Sequence, residues 1–254
     1  MDEVEGAEET RAKSKDLAII FDIDGTLIAE GRKINRIRIR PGAVEWIRWA
    51  RKEQGHAVAI WTAAHQSWGD AVATKICQEV DPDHVCSRHC RKTFDFVWDN
   101  DKMRAQRSKI LMDYGSGLGG CHWCKAYCMH CTRCECRSYS YHCPCRFVKD
   151  LGKVWHHPEI GKTPYTRERT IIVENTPQQC IFNYGNAVYI PTYKGHHDDN
   201  YFLRLRGLIR DLEEKEDVRF HRKCDHHKRG MHPCFDQTWW REPVECAATE
   251  GPNS

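Results

Sequence analysis

The sequence lacks any long hydrophobic run. None of its apolar segments approaches the roughly 20 consecutive residues that cross a bilayer, and the opening stretch MDEVEGAEE has neither the basic nor the apolar region of a signal peptide. A strong charge of one sign is also absent, because the net charge is only +3, which does not by itself indicate a nucleic-acid partner. We therefore expect a cytoplasmic or nuclear protein that does not associate with membranes.

The composition instead favours one full-sized α/β domain with an additional module. A chain of 254 residues that is 40% hydrophobic can bury a large core. Residues 1–15 are charged and small, which indicates a disordered lead. We expect the main domain at residues 16–99 and 146–214, a cysteine-rich insertion at residues 100–145, and a basic tail with Cys and His at residues 215–254.

Short apolar runs alternate with amphipathic segments along the main domain. Buried strands are predicted for LAIIF (17–21), HAVAIW (56–61), FDFVW (94–98), TIIVE (170–174) and AVYI (187–190). An alternating strand is predicted for RIRIR before Pro41, and helices are predicted after Pro41, over residues 68–79 and over NYFLRLRGLIRDLEE. The last helix places Phe202, Leu205, Leu208, Ile209 and Leu212 on one face. This order predicts a three-layer fold with a right-handed, doubly wound parallel sheet.

Two aspartates follow the first predicted strand, in the stretch FDIDGTLI. Asp22 and Asp24 should lie at the carboxyl edge of the sheet, where ligands of such folds bind. Adjacent carboxylates repel each other unless they share a proton or bind a cation, and Mg²⁺ suits oxygen ligands. Gly25 permits a sharp turn, and Thr26 offers a hydroxyl to hold it. A calcium loop is the alternative, but an EF-hand needs a preceding helix, and a strand precedes here.

The stretch FDIDGTLI resembles the first motif of the haloacid dehalogenase (HAD) superfamily of aspartate-nucleophile phosphatases. The other three motifs of that superfamily are matched in order by IWTAA with Thr62, FVKDL with Lys149, and IIVENTP with Glu174 and Asn175. The segments RPGAVEWI, FVKDLGKVW and IIVENTPQQCIFNYGNAVYIPTY narrow the resemblance to the NIF-type branch, which contains the small phosphatases of the RNA polymerase II C-terminal domain. It implies an HAD-like Rossmannoid fold and a phosphoric monoester hydrolase. The branch commonly reads D-x-D-E-T and D-N-S-P, where this chain has Gly25 and the longer Glu174.

The resemblance also implies a role for each matched residue. Asp22 would attack phosphorus and form an aspartyl-phosphate, while Asp24 would protonate the leaving oxygen and then activate water. Lys149 would neutralise the charge on the phosphoryl oxygens, and Thr62 would donate a hydrogen bond to them. The alternative for Lys149 is an ordinary surface lysine.

A catalytic Mg²⁺ and a substrate class follow from the same resemblance. The metal would be held by the Asp22 carboxylate, the Asp24 main-chain carbonyl and the Asn175 side chain, with Glu174 behind these ligands or as an additional one. The implied substrate is phosphoserine or phosphothreonine in a protein. The alternatives are a phosphatase of nucleic-acid ends or small phosphate esters, and a catalytically silent zinc-bearing interaction module.

Eight of the 15 cysteines are concentrated in one polar stretch, CHWCKAYCMHCTRCECRSYSYHCPC. They are Cys121, Cys124, Cys128, Cys131, Cys134, Cys136, Cys143 and Cys145. Disulfides are unexpected in a reducing compartment, whereas eight thiolates suffice for two tetrahedral zinc sites that would stabilise a segment without an apolar core. Which cysteines share an ion stays open, His122, His130 or His142 being potential replacements, and reduced, unbound thiols are the alternative.

A further zinc site is predicted if two other segments meet in space. Its candidate ligands are Cys86, His89, Cys90, Cys224, His226, His227, His232 and Cys234. The insertion falls where HAD proteins place a substrate-selecting cap, and it interleaves basic and aromatic side chains. These side chains, suited to an acidic phosphopeptide or a nucleic-acid strand, are Lys125, Arg133, Arg137, Arg146, Trp123, Tyr127, Tyr139 and Tyr141. A rigid structural buttress is the alternative.

Overall fold

The computed structural model describes residues 16–29, 36–83, 93–105, 147–162, 164–180 and 182–220. The strands of these ranges are β1 Ala18–Phe21, β2 Ala57–Trp61, β3 Val97–Trp98, β4 Arg104–Ala105, β5 Phe147–Val148, β6 Thr170–Glu174 and β7 Ala187–Tyr189. The α-helices are α1 Ala43–Arg48, α2 Gln66–Val80, α3 Gly152–Trp155 and α4 Tyr201–Glu213. A π-helical turn at Trp49–Glu53 continues α1.

The central sheet contains five parallel strands in the order β3-β2-β1-β6-β7. In the register of this sheet, Ala18 of β1 lies between Ala57 of β2 and Thr170 of β6. The chain runs outward from β1 to β2 and β3 on one side, and the later strands β6 and β7 extend the sheet on the other. The order therefore reverses between β1 and β6, and a doubly wound sheet binds its ligand at the carboxyl ends of such a pair.

Both faces of the sheet are covered. Ile19 and Phe21 of β1 face the apolar cluster that includes α1, α2 and α4, whereas Ala18 and Ile20 face the cluster that includes Val154 of α3. Strand β1 is thus buried on both sides, which explains why its sequence is a continuous apolar run. Burying each of its large side chains contributes about 1.5–3 kcal/mol relative to exposure. The predicted three-layer α/β fold is confirmed.

The predicted elements agree with the structure wherever an apolar run is central. The strand predicted at residues 170–174 has those bounds, and the helices predicted over residues 68–79 and 200–214 are α2 and α4. The five side chains assigned to one face of α4 are all buried. The strand predicted for FDFVW is shorter, because only Val97 and Trp98 join the ladder with β2.

The strand predicted for RIRIR is wrong. In this segment only Ile39 makes a bridge, an isolated antiparallel one to Ile28. The main-chain bonds Ala29 N to Arg38 O and Arg40 N to Leu27 O tie the segment to the turn after β1. Pro41 follows at once, and a proline has no N–H with which to extend a ladder.

The residues that flank segment 106–146 lie side by side, because β4 and β5 pair in an antiparallel two-stranded sheet. The eight cysteines predicted to bind zinc fall in this segment and lie outside the described residues. The candidates of the further zinc site, at 84–92 and after 220, also lie outside them. Zinc binding therefore stays a prediction.

The described ranges also bear on metals and membranes. Within them, no three or more His, Cys, Asp or Glu side chains group in a way that would hold a metal ion. In the same part of the chain, no helix combines the length and apolar character needed to cross a bilayer.

Candidate active site

The motif residues converge at the carboxyl ends of β1 and β6. Asp22 follows β1, and its main-chain N–H donates to Val173 O of β6 at 3.0 Å. Glu174 is the last residue of β6, and Asn175 follows it. Because neighbouring parallel strands end at the same edge, these three side chains start from adjacent points of the backbone.

Lys149 links the two strand ends. Its side chain is fully buried, and its Nζ donates to Asp22 Oδ1 and to Glu174 Oε2, each at 2.6 Å. The backbone of Lys149 is fixed by a bond from its N–H to Gln179 O at 2.7 Å and by one from Asn183 Nδ2 to its carbonyl at 2.6 Å. The alternative of a surface lysine is therefore excluded.

The ionisation of this cluster follows from burial and from the number of charges. Burial alone would lower the pKa of Lys149, but the charges and hydrogen bonds of Asp22 and Glu174 raise it above its usual value. Burial, together with the charge of Asp22, raises the pKa of Glu174 to about 7, although Lys149 and the Thr176 N–H oppose that shift. Two buried carboxyl groups therefore share one lysine, and a further positive charge beside them would favour the ionised form of Glu174.

Asp24 approaches the site from the turn after β1, and its side chain is half-buried. The indole Nε1 of Trp68, in the first turn of α2, donates to both carboxylate oxygens of Asp24, at 3.2 Å to Oδ1 and 3.1 Å to Oδ2. Helix α2 follows β2, whose carboxyl end lies next to that of β1. The helix therefore begins beside the turn that carries Asp24.

Gly25 brings the backbone of this turn against Asn175. The glycine has φ of +81°, and a Cβ placed on it would lie 2.4 Å from Asn175 Nδ2, so a side chain at this position would displace the amide. The Asn175 amide oxygen accepts from Thr26 Oγ1 at 3.2 Å, and its nitrogen donates to Thr192 Oγ1 at 3.1 Å. Thr26 thus holds Asn175 through its side chain.

The donor set of this corner fits a small hard cation. With the amide in that orientation, the Asn175 oxygen lies 3.1 Å from the Asp24 main-chain oxygen and 3.2 Å from Glu174 Oε1. Oxygens in this arrangement repel one another unless a cation lies among them or the amide turns to present its nitrogen. Neighbouring ligands of octahedral Mg²⁺, bound at 2.0–2.1 Å, are about 3 Å apart. The residues therefore fit Mg²⁺, and the two carboxyl groups beside them favour a bound cation as well.

Thr62 follows β2 at the same edge and is buried. Its N–H donates to Trp98 O at 2.8 Å, and its Oγ1 accepts from Ala64 N at 3.1 Å. Since the Ala64 N–H occupies a lone pair of this oxygen, the hydroxyl proton is left for another acceptor.

Arg40 holds the turn from behind. Its buried guanidinium forms a bidentate pair with Asp199, at 2.9 and 2.8 Å, and its Nη1 lies 3.4 Å from each of the carbonyl oxygens of Gly25 and Thr26. It also lies over the ring of Tyr193, whose N–H donates to Gly25 O at 2.7 Å. The turn that carries Asp24 is therefore fixed on two sides.

Sequence reasoning missed Trp68 and Arg40 as site residues. An aromatic residue on a predicted helix is usually part of the core, and an arginine on a predicted strand is usually solvent-exposed. One signal pointed to Trp68: it stands in the first turn of a helix that follows the motif strand ending in Thr62. For Arg40 the sequence offered no such signal.

Buried carboxyl groups and a lysine at the switch point of a doubly wound sheet form a charged edge of the kind at which α/β proteins bind ligands. The family model of NLI interacting factor-like phosphatases matches residues 17–112 and 122–219 of this chain. The chain therefore belongs to the NLI interacting factor-like phosphatase family, and the HAD-type, NIF-branch recognition predicted from the sequence is confirmed. The matched ranges include parts of the cysteine-rich segment on either side of residues 113–121, which are not matched.

Among solved structures, a variant of the fission yeast RNA polymerase II CTD phosphatase Fcp1 bound to beryllium fluoride is similar to this chain. The similarity has 13% sequence identity and a TM-score of 0.37, and it covers 79% of this chain. This chain spans about half, 51%, of the length of the yeast chain. No curated protein matches the sequence.

Proposed function

We propose that the chain hydrolyses phosphate monoesters with Mg²⁺ through an aspartyl-phosphate on Asp22, and that its substrates are phosphoserine or phosphothreonine residues of proteins. The observation that carries the proposal is the buried Lys149, whose Nζ contacts both Asp22 and Glu174 at 2.6 Å. The ammonium group of Lys149 is held at this edge beside Asp22, which follows the central strand. There it stabilises the negative charge of a transferring phosphoryl group.

In the first step, a carboxylate oxygen of Asp22 forms a bond to phosphorus while the bond from phosphorus to the ester oxygen breaks. Asp24, in its protonated form, gives its proton to that leaving oxygen, so the alcohol departs neutral. Lys149 Nζ donates to Asp22 Oδ1 at 2.6 Å and so holds the attacking carboxylate in place.

In the second step, water attacks the phosphorus of the aspartyl-phosphate. Asp24, now a carboxylate, accepts a proton from this water, and the bond between phosphorus and the Asp22 oxygen breaks. Inorganic phosphate leaves, and both aspartates return to their starting forms. The Thr62 oxygen already accepts from the Ala64 N–H, and its hydroxyl group donates a hydrogen bond to a phosphoryl oxygen in both steps.

The Asp22 carboxylate, the Asp24 main-chain oxygen and the Asn175 amide oxygen would hold Mg²⁺. When bound, the ion supplies positive charge to the phosphoryl oxygens. Glu174 accepts from Lys149 and from the Thr176 N–H at 2.9 Å, so its role is to hold Lys149 in place behind these ligands.

The proposed nucleophile is tested by Asp22→Asn. We expect Mg²⁺-dependent release of phosphate from an aryl phosphate to be lost in this variant, and a chelator to abolish wild-type turnover until Mg²⁺ is restored. Asp211→Asn is the matched control, because it makes the same substitution at an exposed position of α4. Near-normal turnover by the Asp22 variant would remove Asp22 as the nucleophile.

The substrate class is tested by comparing phosphopeptides, oligonucleotides with 3′ or 5′ phosphates, and small esters under identical conditions. The highest kcat/KM is expected for phosphoserine or phosphothreonine peptides. The family membership and the resemblance of RPGAVEWI and IIVENTPQQCIFNYGNAVYIPTY to C-terminal-domain phosphatases support this class. A preference for oligonucleotide ends would instead support the alternative of a phosphatase that acts on nucleic-acid ends.

We further propose that the cysteines of residues 121–145 bind two or more structural zinc ions and that this module contacts whatever carries the phosphate. The support is the cysteine spacing alone. Elemental analysis of protein purified without chelator is expected to find zinc, and its absence would reject these sites. Replacing the segment with a short linker should impair phosphopeptide turnover more than aryl phosphate turnover if the module selects substrate.

A further inference from the structure

We propose that Trp68 is a positioning residue that orients the carboxyl group of Asp24 for proton transfer to the leaving oxygen. The proposal depends on the proposed role of Asp24 as the acid of the first step. Trp68 lies outside the four motifs, in helix α2, which follows the second motif.

The contact between the two side chains suits this role. The indole N–H lies at nearly equal distances, 3.2 and 3.1 Å, from the two carboxylate oxygens of Asp24. An indole nitrogen is a donor only and does not titrate. The hydrogen bond therefore persists on one oxygen when the other carries a proton, so Trp68 fixes the group both as an acid and as a base.

The tryptophan is itself held firmly. Its main-chain N–H donates to His65 O at 2.9 Å at the start of α2, and its half-buried ring packs against the core cluster on that face of the sheet. At the next position, a Cβ on Gly69 would approach Val97 Cγ1 to 3.2 Å and Thr62 Cγ2 to 3.4 Å. The lack of a side chain there lets the first turn of α2 lie close to the ends of the strands.

Asp22 and Asp24 are held by different side chains. Asp22 is buried and bonded to Lys149, whereas Asp24 is half-buried and lies on a turn. A general acid contributes about 10²- to 10⁴-fold to a rate, and this contribution depends on how the donor faces the leaving oxygen. A side chain that fixes this orientation controls part of that factor.

The test is Trp68→Phe, which keeps a ring in the same place and removes the N–H. The two substrates are phenyl phosphate, whose basic leaving group needs a proton, and p-nitrophenyl phosphate, whose leaving group departs readily without one. The measured quantity is kcat/KM, because it reports on the step in which the ester bond breaks. We expect about a tenfold loss for phenyl phosphate and less than about a threefold loss for p-nitrophenyl phosphate.

Trp49→Phe is the matched control. The Trp49 ring is buried, and its N–H has no hydrogen-bond partner among the described residues, so this variant should change kcat/KM for the two esters by the same factor. Equal losses for both esters in Trp68→Phe, or no loss in either, would overturn the proposal. A folded wild-type protein that hydrolyses neither these esters nor the phosphopeptides would instead overturn the proposed function, and this assignment with it.

Discussion

The two ends of the central sheet each bury a basic side chain, but they treat its charge in opposite ways. At the carboxyl end, Lys149 contacts two carboxylates at 2.6 Å. At the amino end, His56 precedes β2, is also buried, and contacts one carboxylate, that of Glu213, at 2.8 Å. Burial lowers the pKa of His56, and the hydrogen bond to Glu213 does not reverse that shift. Burial acts in the same direction on Lys149, but the two carboxylates raise its pKa above the usual value.

Two carboxyl groups raise the pKa of the buried lysine, whereas one carboxylate does not offset the effect of burial on the histidine, whose ordinary pKa already lies near neutrality. The carboxyl end holds a permanent positive charge between two carboxyl groups. The amino end is neutral at the imidazole and joins the start of β1 to the end of α4. One end is arranged for a charged ligand, and the other is arranged for stability.

The largest effect is expected from removing the buried cation, in Lys149→Met. This variant leaves Asp22 and Glu174 buried without a counter-ion, so at least one of them takes up a proton. We expect kcat to fall about 10²- to 10³-fold and the free energy of unfolding to fall by about 3–5 kcal/mol. Steady-state kinetics and urea unfolding at neutral pH measure the two losses.

Lys75→Met is the control for this change, because Lys75 forms an exposed pair with Glu79 on α2, at 3.7 Å. Such a pair contributes about 0–1 kcal/mol, and turnover should be unchanged. If Lys149→Met kept its activity, the carboxyl end would not differ in function from the amino end, and the comparison would fail.

A smaller effect is expected from alanine at two glycines with the same unusual backbone, one at each end. Gly25 and Gly55 have φ of +81° and +74°, so either substitution should cost about 1–2 kcal/mol of stability. A Cβ at Gly25 would lie 2.4 Å from Asn175 Nδ2, whereas a Cβ at Gly55 has its nearest neighbour, Asp16 Oδ1, at 3.9 Å. Only Gly25→Ala should therefore raise the Mg²⁺ concentration needed for half-maximal turnover, by about 10- to 100-fold.

Titrating both variants with Mg²⁺ at a fixed substrate concentration measures the difference. Equal Mg²⁺ requirements in Gly25→Ala and Gly55→Ala would mean that the close approach of the turn to Asn175 has no part in metal binding. That result would contradict the proposed ligand set.

The same contrast explains how much of the molecule could be predicted. Strand β6 was predicted with its observed bounds, because a strand buried on both faces has an apolar sequence throughout. Lys149 and Glu174 could be placed because each lies next to an apolar run that matches a motif. These inferences need only residues that are close together in sequence.

The missed contacts join residues that are far apart in sequence. Trp68 bonds to a residue 44 positions away, and Arg40 bonds to Asp199, 159 positions away. The alternation in RIRIR resembles that of a strand, but burial of Arg40 by Asp199 and two tyrosine rings decides its structure. A local pattern cannot contain such partners, because the fold alone brings them together.

The smallest effect is expected at the amino end, where stability should depend on the proton of His56. The Leu17 N–H donates to Nδ1 at 3.3 Å, so the proton lies on Nε2 and is donated to Glu213. The charges of Asp16 and Arg169 act on the ring in opposite directions.

Since the pKa of His56 is below 6.5 in the folded protein, the unfolded chain takes up this proton first as the pH falls, and the stabilisation decreases below about pH 6.5. His56→Gln keeps a neutral donor, so its urea midpoint should fall less than that of the wild type between about pH 7.5 and pH 5.5. Identical pH dependences would show that folding leaves the pKa of His56 unchanged. A midpoint that falls less in the wild type than in the variant would show that the imidazole keeps its proton, as Lys149 does, and the two ends would then be alike.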